Sequence, residues 1–161
     1  GEINALSYRY SMVIRTSWLY SAHGKNFVKT IKKLSTERES INVVSDQLGT
    51  PTYAADLAGA IMEIITKTER GLIPFTGGTY HFSNEGSCSW YQFACEIKEL
   101  LGLRLEINPV STSEYMLPAT RPAMSVLDIS KIKKQYKLKI PGWKESLAVC
   151  VSKLKSMNDG S

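Results

Sequence analysis

Apolar residues change their spacing several times along the chain. Met12, Val13 and Ile14 are consecutive, the pattern of a strand covered on both faces in a parallel sheet. From Gly24 to Leu34, Phe27, Val28, Ile31 and Leu34 share one stripe while Lys25, Lys29, Lys32 and Lys33 fall mostly off it, which predicts an amphipathic helix. Ile41 to Val44 reads as a short strand. Asp46-Gln47-Leu48-Gly49-Thr50-Pro51-Thr52 reads as a loop, because Gly and Pro interrupt it. Thr52 is placed to cap the next helix, whose stripe is Leu57, Ile61 and Ile65.

The second half continues the alternation. Glu69 to Gly78 is a turn-rich connection and Thr79 to Phe82 a strand. Ser89 followed by Gln92 has the form of a capping box, opening a helix with Phe93, Ala94, Ile97, Leu100 and Leu101 inside and Gly102 as its left-handed end. Leu105 to Val110 is a further strand, and Ser111 to Met124, with Pro118 and Pro122, a loop. Ser130 is placed to cap a short basic helix ending near Tyr136. The last helix starts near Pro141, with Trp143, Leu147, Cys150, Val151 and Leu154 as its buried stripe, before a polar tail from Met157. Strands alternating with helices define an α/β protein, with right-handed crossovers between parallel strands. The strands are fewer than a complete doubly wound domain contains.

With 161 residues and 43% apolar composition the chain can bury a real core as one domain. Its net charge of +5 comes from scattered lysines, and no basic helix interleaved with aromatics or other nucleic-acid motif is present. The cysteines, Cys88, Cys95 and Cys150, are odd in number and lack metal-ligand spacing; Cys95 and Cys150 fall on apolar faces, as small core residues of a reducing compartment do. His23 and His81 have no Cys, Asp or second His at ligand spacing, so no metal site is expected. No apolar run reaches membrane-spanning length and no signal-peptide pattern is present. The expectation is a cytoplasmic protein without nucleic-acid or membrane partners.

Four stretches, in order and at compatible spacing, carry a family resemblance: Arg15-Thr-Ser-Trp-Leu-Tyr20; Asp46-Gln-Leu-Gly-Thr-Pro-Thr-Tyr-Ala-Ala-Asp-Leu-Ala58; Tyr80-His-Phe-Ser-Asn-Glu-Gly-Ser-Cys-Ser-Trp-Tyr91; and Thr112-Ser-Glu-Tyr115 through Arg121-Pro122 to Ser125-Val-Leu-Asp128. Together they resemble the C-terminal half of dTDP-4-dehydrorhamnose reductases, members of the extended short-chain dehydrogenase/reductase family. The resemblance implies the C-terminal part of a Rossmann-like fold, comprising the last strands of the parallel sheet plus a small α/β substrate-binding lobe. On it, residues 1–155 form the substrate-binding portion and 156–161 a flexible tail.

The family's Gly-rich coenzyme turn and its catalytic Tyr and Lys, four residues apart, have no counterpart here. Gly77-Gly78 lacks the fingerprint spacing, and neither Tyr8 nor Tyr10 is followed four residues later by Lys. Gly1-Glu2 stands at the distance from Arg15 at which a Gly-Glu pair follows the family's catalytic lysine, which places the start of the chain just after that lysine. The resemblance therefore implies a portion that binds a dTDP-sugar, has no catalytic residue of its own, and depends on a missing N-terminal half holding NADPH or NADH. A homodimer or other self-association is expected. Some relatives bind magnesium through carboxylates, and no matching carboxylate pair is evident. The competing reading is a non-enzymatic relative of the methionine adenosyltransferase β-subunit type; the sugar-site segments favour the enzyme.

Within this frame Trp18, Asn26, Gln47 and Arg121 are the candidate substrate-binding residues. Trp18 follows the first strand, where ligands of open α/β sheets collect, and the matching family residue lines the sugar pocket. Arg121 stands in a proline-framed loop, and its guanidinium suits a diphosphate. Asn26 opens a helix and either binds ligand or caps. Gln47 belongs to the stretch matching the family's Gln-x-Gly-x-Pro-Thr pattern, together with Thr50 and Thr52. Arg15 reads as a structural hydrogen-bonding residue, Trp90, Tyr91 and Trp143 as packing residues, and Glu85 and Glu114 as loop carboxylates without an evident partner.

Overall fold

The computed structural model describes residues 1–114 and 122–158. In chain order the elements are α1 (Glu2–Leu6), β1 (Met12–Thr16), β2 (Leu19–Tyr20), α2 (Phe27–Glu37), β3 (Ser40–Val44), β4 (Leu48–Gly49), β5 (Thr52–Tyr53), α3 (Ala54–Glu69), β6 (Gly78–Phe82), β7 (Cys88–Ser89), α4 (Trp90–Leu101), β8 (Glu106–Val110), α5 (Ser130–Tyr136) and α6 (Trp143–Asn158). β1 pairs in parallel with β6, placing Ile14 beside Tyr80, and β3 in parallel with β8, placing Ile41 beside Ile107. β2 and β5 form a short parallel pair, β4 and β7 a short antiparallel one. The chain is thus α/β with parallel strands, as the alternating pattern predicts.

Two apolar cores follow from these pairings. The first gathers Val28 and Ile31 of α2, Phe93, Ala94 and Ile97 of α4, and Leu147 and Cys150 of α6 around β3 and β8. Each of these side chains is at most 1% exposed, so each large one contributes about 1.5–3 kcal/mol of burial. The second gathers Ile64 of α3, Tyr80 and Phe82 of β6, and Ile132 and Tyr136 of α5, with Met12 and Ile14 of β1 packed against them. The local signals act as their chemistry dictates. Ser89 and Gln92 exchange both capping-box hydrogen bonds at the head of α4, and Gly102 ends it at φ 65°. The stripe of α6 is buried from Trp143 to Leu154, and the helix continues through Asn158, beyond the Met157 at which the polar pattern begins.

Several local expectations are corrected. The stripe of α3 is rotated: Leu57, Ala60 and Ile64 face the second core, whereas Ile61 and Ile65 are 37% and 42% exposed and flank Met62 at 60%. α3 meets its neighbours along a row spaced three and four residues apart, and a strict four-residue row drifts off that face. Thr52 does not cap α3; it lies in β5, and Tyr53 holds the cap position without a side-chain bond. Ser130 is the first residue of α5, and the carboxylate of Asp128 accepts its N–H at 2.8 Å. α2 begins at Phe27, since Asn26 caps it. β1 is half-buried along Met12–Ile14 rather than covered on both faces, because among the described residues β6 is its single strand neighbour.

Asn84, 1% exposed at the end of β6, ties the two cores together. Its Oδ1 accepts the N–H of Tyr53 at 2.7 Å, and its Nδ2 donates to Asp56 Oδ2 at 2.7 Å, to Ser146 Oγ at 2.8 Å and to the Pro141 carbonyl at 3.3 Å. Ser146 Oγ also donates to Asp56 Oδ2 at 2.5 Å. Asn84→Ala strands a buried N–H and a carboxylate together, and should cost about 3 kcal/mol. Ser146→Ala removes less and should cost about 1 kcal/mol. Urea unfolding midpoints check this; an Asn84→Ala midpoint equal to the native one would contradict the account.

Candidate functional site around the Asp46–Tyr53 segment

The segment after β3 runs between the two cores and is pinned along its length. Thr112 donates its N–H to both Asp46 oxygens at 3.1 and 3.0 Å and its hydroxyl to Oδ1 at 2.6 Å. The buried Gln47 donates from Nε2 to the same Thr112 hydroxyl at 3.0 Å. Leu48 donates its N–H to the Ala123 carbonyl, and Ser125 returns an N–H to the Leu48 carbonyl, both at 2.8 Å. Thr50 Oγ1 donates to the Gly86 carbonyl at 2.9 Å, Ser17 Oγ donates to the Thr50 carbonyl at 2.9 Å, and Thr52 N–H reaches the Trp18 carbonyl at 3.2 Å. One irregular stretch thereby fixes the ends of β1, β6 and the loop leading to α5.

Trp18 follows β1 with φ 44°, a left-handed backbone that a bulky side chain adopts only under constraint. Its indole stacks on Trp90, ring centroids 3.6 Å apart at 14°, and Trp90 in turn meets Phe27 at 4.8 Å. A groove of about 510 Å³ opens beside this aromatic group. Trp90 and Phe27 form one end, Ile31, Leu34 and Val43 contribute apolar wall, and Gln47, Asn42 and Arg38 supply polar atoms. Such a groove suits a molecule with a flat ring to stack on an indole, hydroxyls for amide contacts, and negative charge for a guanidinium.

The predicted site residues fare differently. Gln47 lines the groove, and Trp18 touches it through Trp90 rather than lining it. Trp90, read from the sequence as packing, is a wall of the groove; its position at the first turn of α4 beside a capping box gave no sign of this. Arg38, at the end of α2, was also missed, for it carries no motif. Asn26 is committed to the backbone: Oδ1 accepts from Lys29 N–H at 3.3 Å, and Nδ2 donates to the Ser21 and His23 carbonyls at 2.8 and 3.1 Å, which is the capping alternative. Arg121 lies outside the described residues; Pro122 to Ser125, just after it, run along Leu48.

Arg15 makes two hydrogen bonds to Glu2, at 2.9 and 2.5 Å, which hold the Glu2 carboxyl below its ordinary range. The two loop carboxylates do have partners: Glu85 pairs with Lys133, and Glu114 accepts from the Ser111 N–H and hydroxyl. All three cysteines are free thiols; burial pushes Cys88 up to about 12 and Cys150 to about 11, so both are inert core residues, whereas Cys95 is half-buried. Among the described residues no three His, Cys, Asp or Glu side chains gather as a metal site, and no helix is long and apolar enough to cross a membrane. Gly77-Gly78 does not form a phosphate cradle: a Cβ on Gly77 would lie 2.7 Å from the Arg9 and Ser11 carbonyls, so the pair admits close passage of the chain beside β1.

An α/β lobe built mainly on parallel strand pairs, with a groove running along α2 and β3 as far as Gln47 and Trp90, defines a ligand-binding portion of a Rossmann-like protein. The chain belongs to the RmlD substrate binding domain family, whose pattern matches residues 2–156. It is 41% identical over 146 residues to the spore coat polysaccharide biosynthesis protein SpsK of Bacillus subtilis (strain 168), covering 91% of this chain and 48% of that protein. It is 37% identical over 138 residues to a dTDP-4-dehydrorhamnose reductase of Sinorhizobium fredii, covering 83% and 47%. The crystal structure of dTDP-4-dehydrorhamnose reductase from Bacillus anthracis str. Ames in complex with NADP superposes with a TM-score of 0.80 at 41% identity, covering 88% of this chain and 48% of that one. The chain spans about half the length of the relatives it matches.

The Asp46–Thr112 latch gives a pH signature. Hydrogen bonds from Thr112 hold the Asp46 carboxyl below its ordinary value of 3.8. A carboxyl depressed in the folded state keeps its latch above the ordinary value and loses it as pH falls through the folded one. The Thr112 amide resonance should therefore shift with a midpoint below 3.8, and Asp46→Asn should abolish that transition. A Thr112 resonance indifferent to acid would contradict the latch.

Proposed function

We propose that this chain is the substrate-binding portion of an NAD(P)H-dependent dTDP-4-dehydrorhamnose reductase, which reduces the 4-keto group of a dTDP-linked 6-deoxyhexose to give dTDP-L-rhamnose for surface polysaccharide. The observation that carries this reading is family membership across residues 2–156. It is supported by the names of the relatives and by a groove that combines a stacking surface, the buried amide of Gln47, the exposed amide of Asn42 and a guanidinium.

In this reading the nucleotide sugar occupies the groove and the strand ends beside it. Trp90 presents aromatic surface to the base or deoxysugar, Trp18 meets the sugar at the strand end behind it, Gln47 lines the cleft, and Arg121 supplies positive charge for the diphosphate. Asn26 shapes the turn ahead of α2 instead of touching ligand. Ketone reduction places a hydride on the carbonyl carbon and a proton on its oxygen; the nicotinamide coenzyme supplies the hydride when bound. This chain's own side chains bind and orient the sugar and exclude water. The chain alone turns nothing over, since the acid and the coenzyme belong to the rest of such a reductase. That remainder, or a second copy, docks on the free edge of β1 and the uncovered Ile61, Met62 and Ile65 of α3. Magnesium has no part in the reading.

Arg121→Ala in the reductase should lose a charge-assisted contact worth about 1.5–3 kcal/mol, roughly 10- to 150-fold in dTDP-sugar affinity. Trp18→Ala should weaken dTDP-sugar binding and lower turnover, with NADPH affinity unchanged in both variants. Separate calorimetric titrations with a dTDP-sugar and with NADPH decide the matter. Unaltered dTDP-sugar affinity in both folded variants, or turnover of about 1 per second by the 161-residue chain alone, would overturn the reading.

A further inference from the structure

The Trp18 indole lies directly over Gly49. A Cβ built on Gly49 would sit 2.5 Å from both Cε2 and Cζ2 of Trp18 and 2.8 Å from Ser125 Oγ, well inside any real carbon contact. Gly49 has no positive φ, so turn conformation does not require glycine there. What requires it is chiefly the ring, since the Ser125 hydroxyl is the free end of a short side chain and can rotate away from an added methyl. Trp90 stacks on the same indole almost in parallel at 3.6 Å. Trp18 is therefore held against both a bare stretch of backbone and a second indole. Its own backbone, at φ 44°, is in a conformation costing on the order of 1–3 kcal/mol. An isolated strained tryptophan would relax; this one is held.

Both confining walls are rigid for reasons visible in their surroundings. Gly49 belongs to β4, which bonds to β7 on one side, while its neighbour Leu48 bonds to Ala123 and Ser125 on the other. Trp90 is the first residue of α4, immediately after the Ser89 that the capping box fixes, and Phe27 packs against both Trp90 and Phe93.

We propose that Gly49 and Trp90 are positioning residues that lock the Trp18 indole in the single orientation in which it meets the sugar. The proposal rests on the reading of Trp18 as a sugar-contacting residue and deepens it. Gly49 acts by having no side chain: any Cβ there pushes the indole off the strand. Trp90 acts as the plate on which the indole stacks, besides lining the groove itself. Neither need touch the reacting atoms to affect the reaction, since displacement of a substrate-positioning group by about 1 Å can cost on the order of 100-fold in rate.

The test compares Gly49→Ala, Trp90→Leu, Trp18→Ala and the double variant Trp18→Ala/Gly49→Ala in the full-length reductase. Three measurements are made on each: the tryptophan exciton signal in circular dichroism, affinity for a dTDP-sugar and for NADPH by titration, and kcat and KM. Gly49→Ala should abolish or invert the exciton signal of the stacked pair. It should weaken dTDP-sugar affinity about 10-fold or more, lower kcat, and leave NADPH affinity unchanged. In the Trp18→Ala background the added methyl should cost almost nothing further, the non-additivity expected of residues that act through one another. Should Gly49→Ala fail to fold, the coupling of Trp90→Leu with Trp18→Ala carries the test: the dTDP-sugar affinity lost on Trp90→Leu should be markedly smaller with Trp18 absent, and an equal loss in both backgrounds means that Trp90 acts only as a groove wall and the lock is wrong. If Trp18→Ala weakens dTDP-sugar binding but Gly49→Ala and Trp90→Leu do not, the lock is wrong and the reading of Trp18 survives. If Gly49→Ala costs as much with Trp18 absent as with it present, Gly49 acts otherwise and the lock is likewise wrong. If Trp18→Ala leaves dTDP-sugar affinity intact, the reading of Trp18 falls, and the lock with it.

Discussion

Four hydrogen bonds on one buried amide, that of Asn84, join the two cores of this molecule. The amide accepts from Tyr53 at the head of α3 and donates to Asp56 on α3, to Ser146 on α6 and to the chain just before α6. Both its donor and its acceptor ends are engaged. The segment that carries Gln47 and Gly49 ends at Tyr53, so the placement of the groove depends on this joint. A hydrophobic contact at the same position would hold the cores together without fixing their relative rotation; the directed bonds of an amide fix both.

From that joint the geometry propagates outward along backbone bonds. Thr52 holds the Trp18 carbonyl, Leu48 exchanges bonds with Ala123 and Ser125, and Thr112 ties Asp46 to Gln47. An irregular segment of about eight residues thereby brings together four separate parts of the chain at the strand ends, where open α/β sheets collect ligands. The aromatic stack of Trp18 and Trp90 sits at that meeting point, which explains how a left-handed backbone at Trp18 is sustained.

Much of the fold was legible because local chemistry and tertiary packing agree. The Ser89–Gln92 box, Gly102 and the α6 stripe each point the same way at both levels. The misses arise where a second element decides. α3 turns Ile61 and Ile65 outward because β6 and α5 approach along Leu57, Ala60 and Ile64, a choice that one helix's own periodicity cannot make. Thr52 is drawn from the cap position by β5 pairing with distant β2, whereas Ser130 yields to a local rival, the carboxylate of Asp128 two residues earlier. Of the candidate site, Gln47 and Trp18 were proposed through family resemblance, whereas the groove positions of Trp90 and Arg38 and the contact of Gly49 with the Trp18 ring emerge only once the chain is folded. A glycine needed for a ring 31 positions earlier in the chain leaves no local signature.

The central claim is that a nucleotide sugar binds where the Asp46–Tyr53 segment meets the Trp18–Trp90 stack. The most direct measurement is to add a dTDP-sugar to isotopically labelled protein and follow the side-chain N–H resonances of its tryptophans and glutamines. The account predicts that Trp18 Nε1, Trp90 Nε1 and Gln47 Nε2 shift together along one saturation curve, while Trp143 Nε1, in the first core, stays in place. Shifts confined to the lysine-rimmed hollow of Lys29, Lys32 and Lys33 on α2, with the two stacked indoles unmoved, would contradict it.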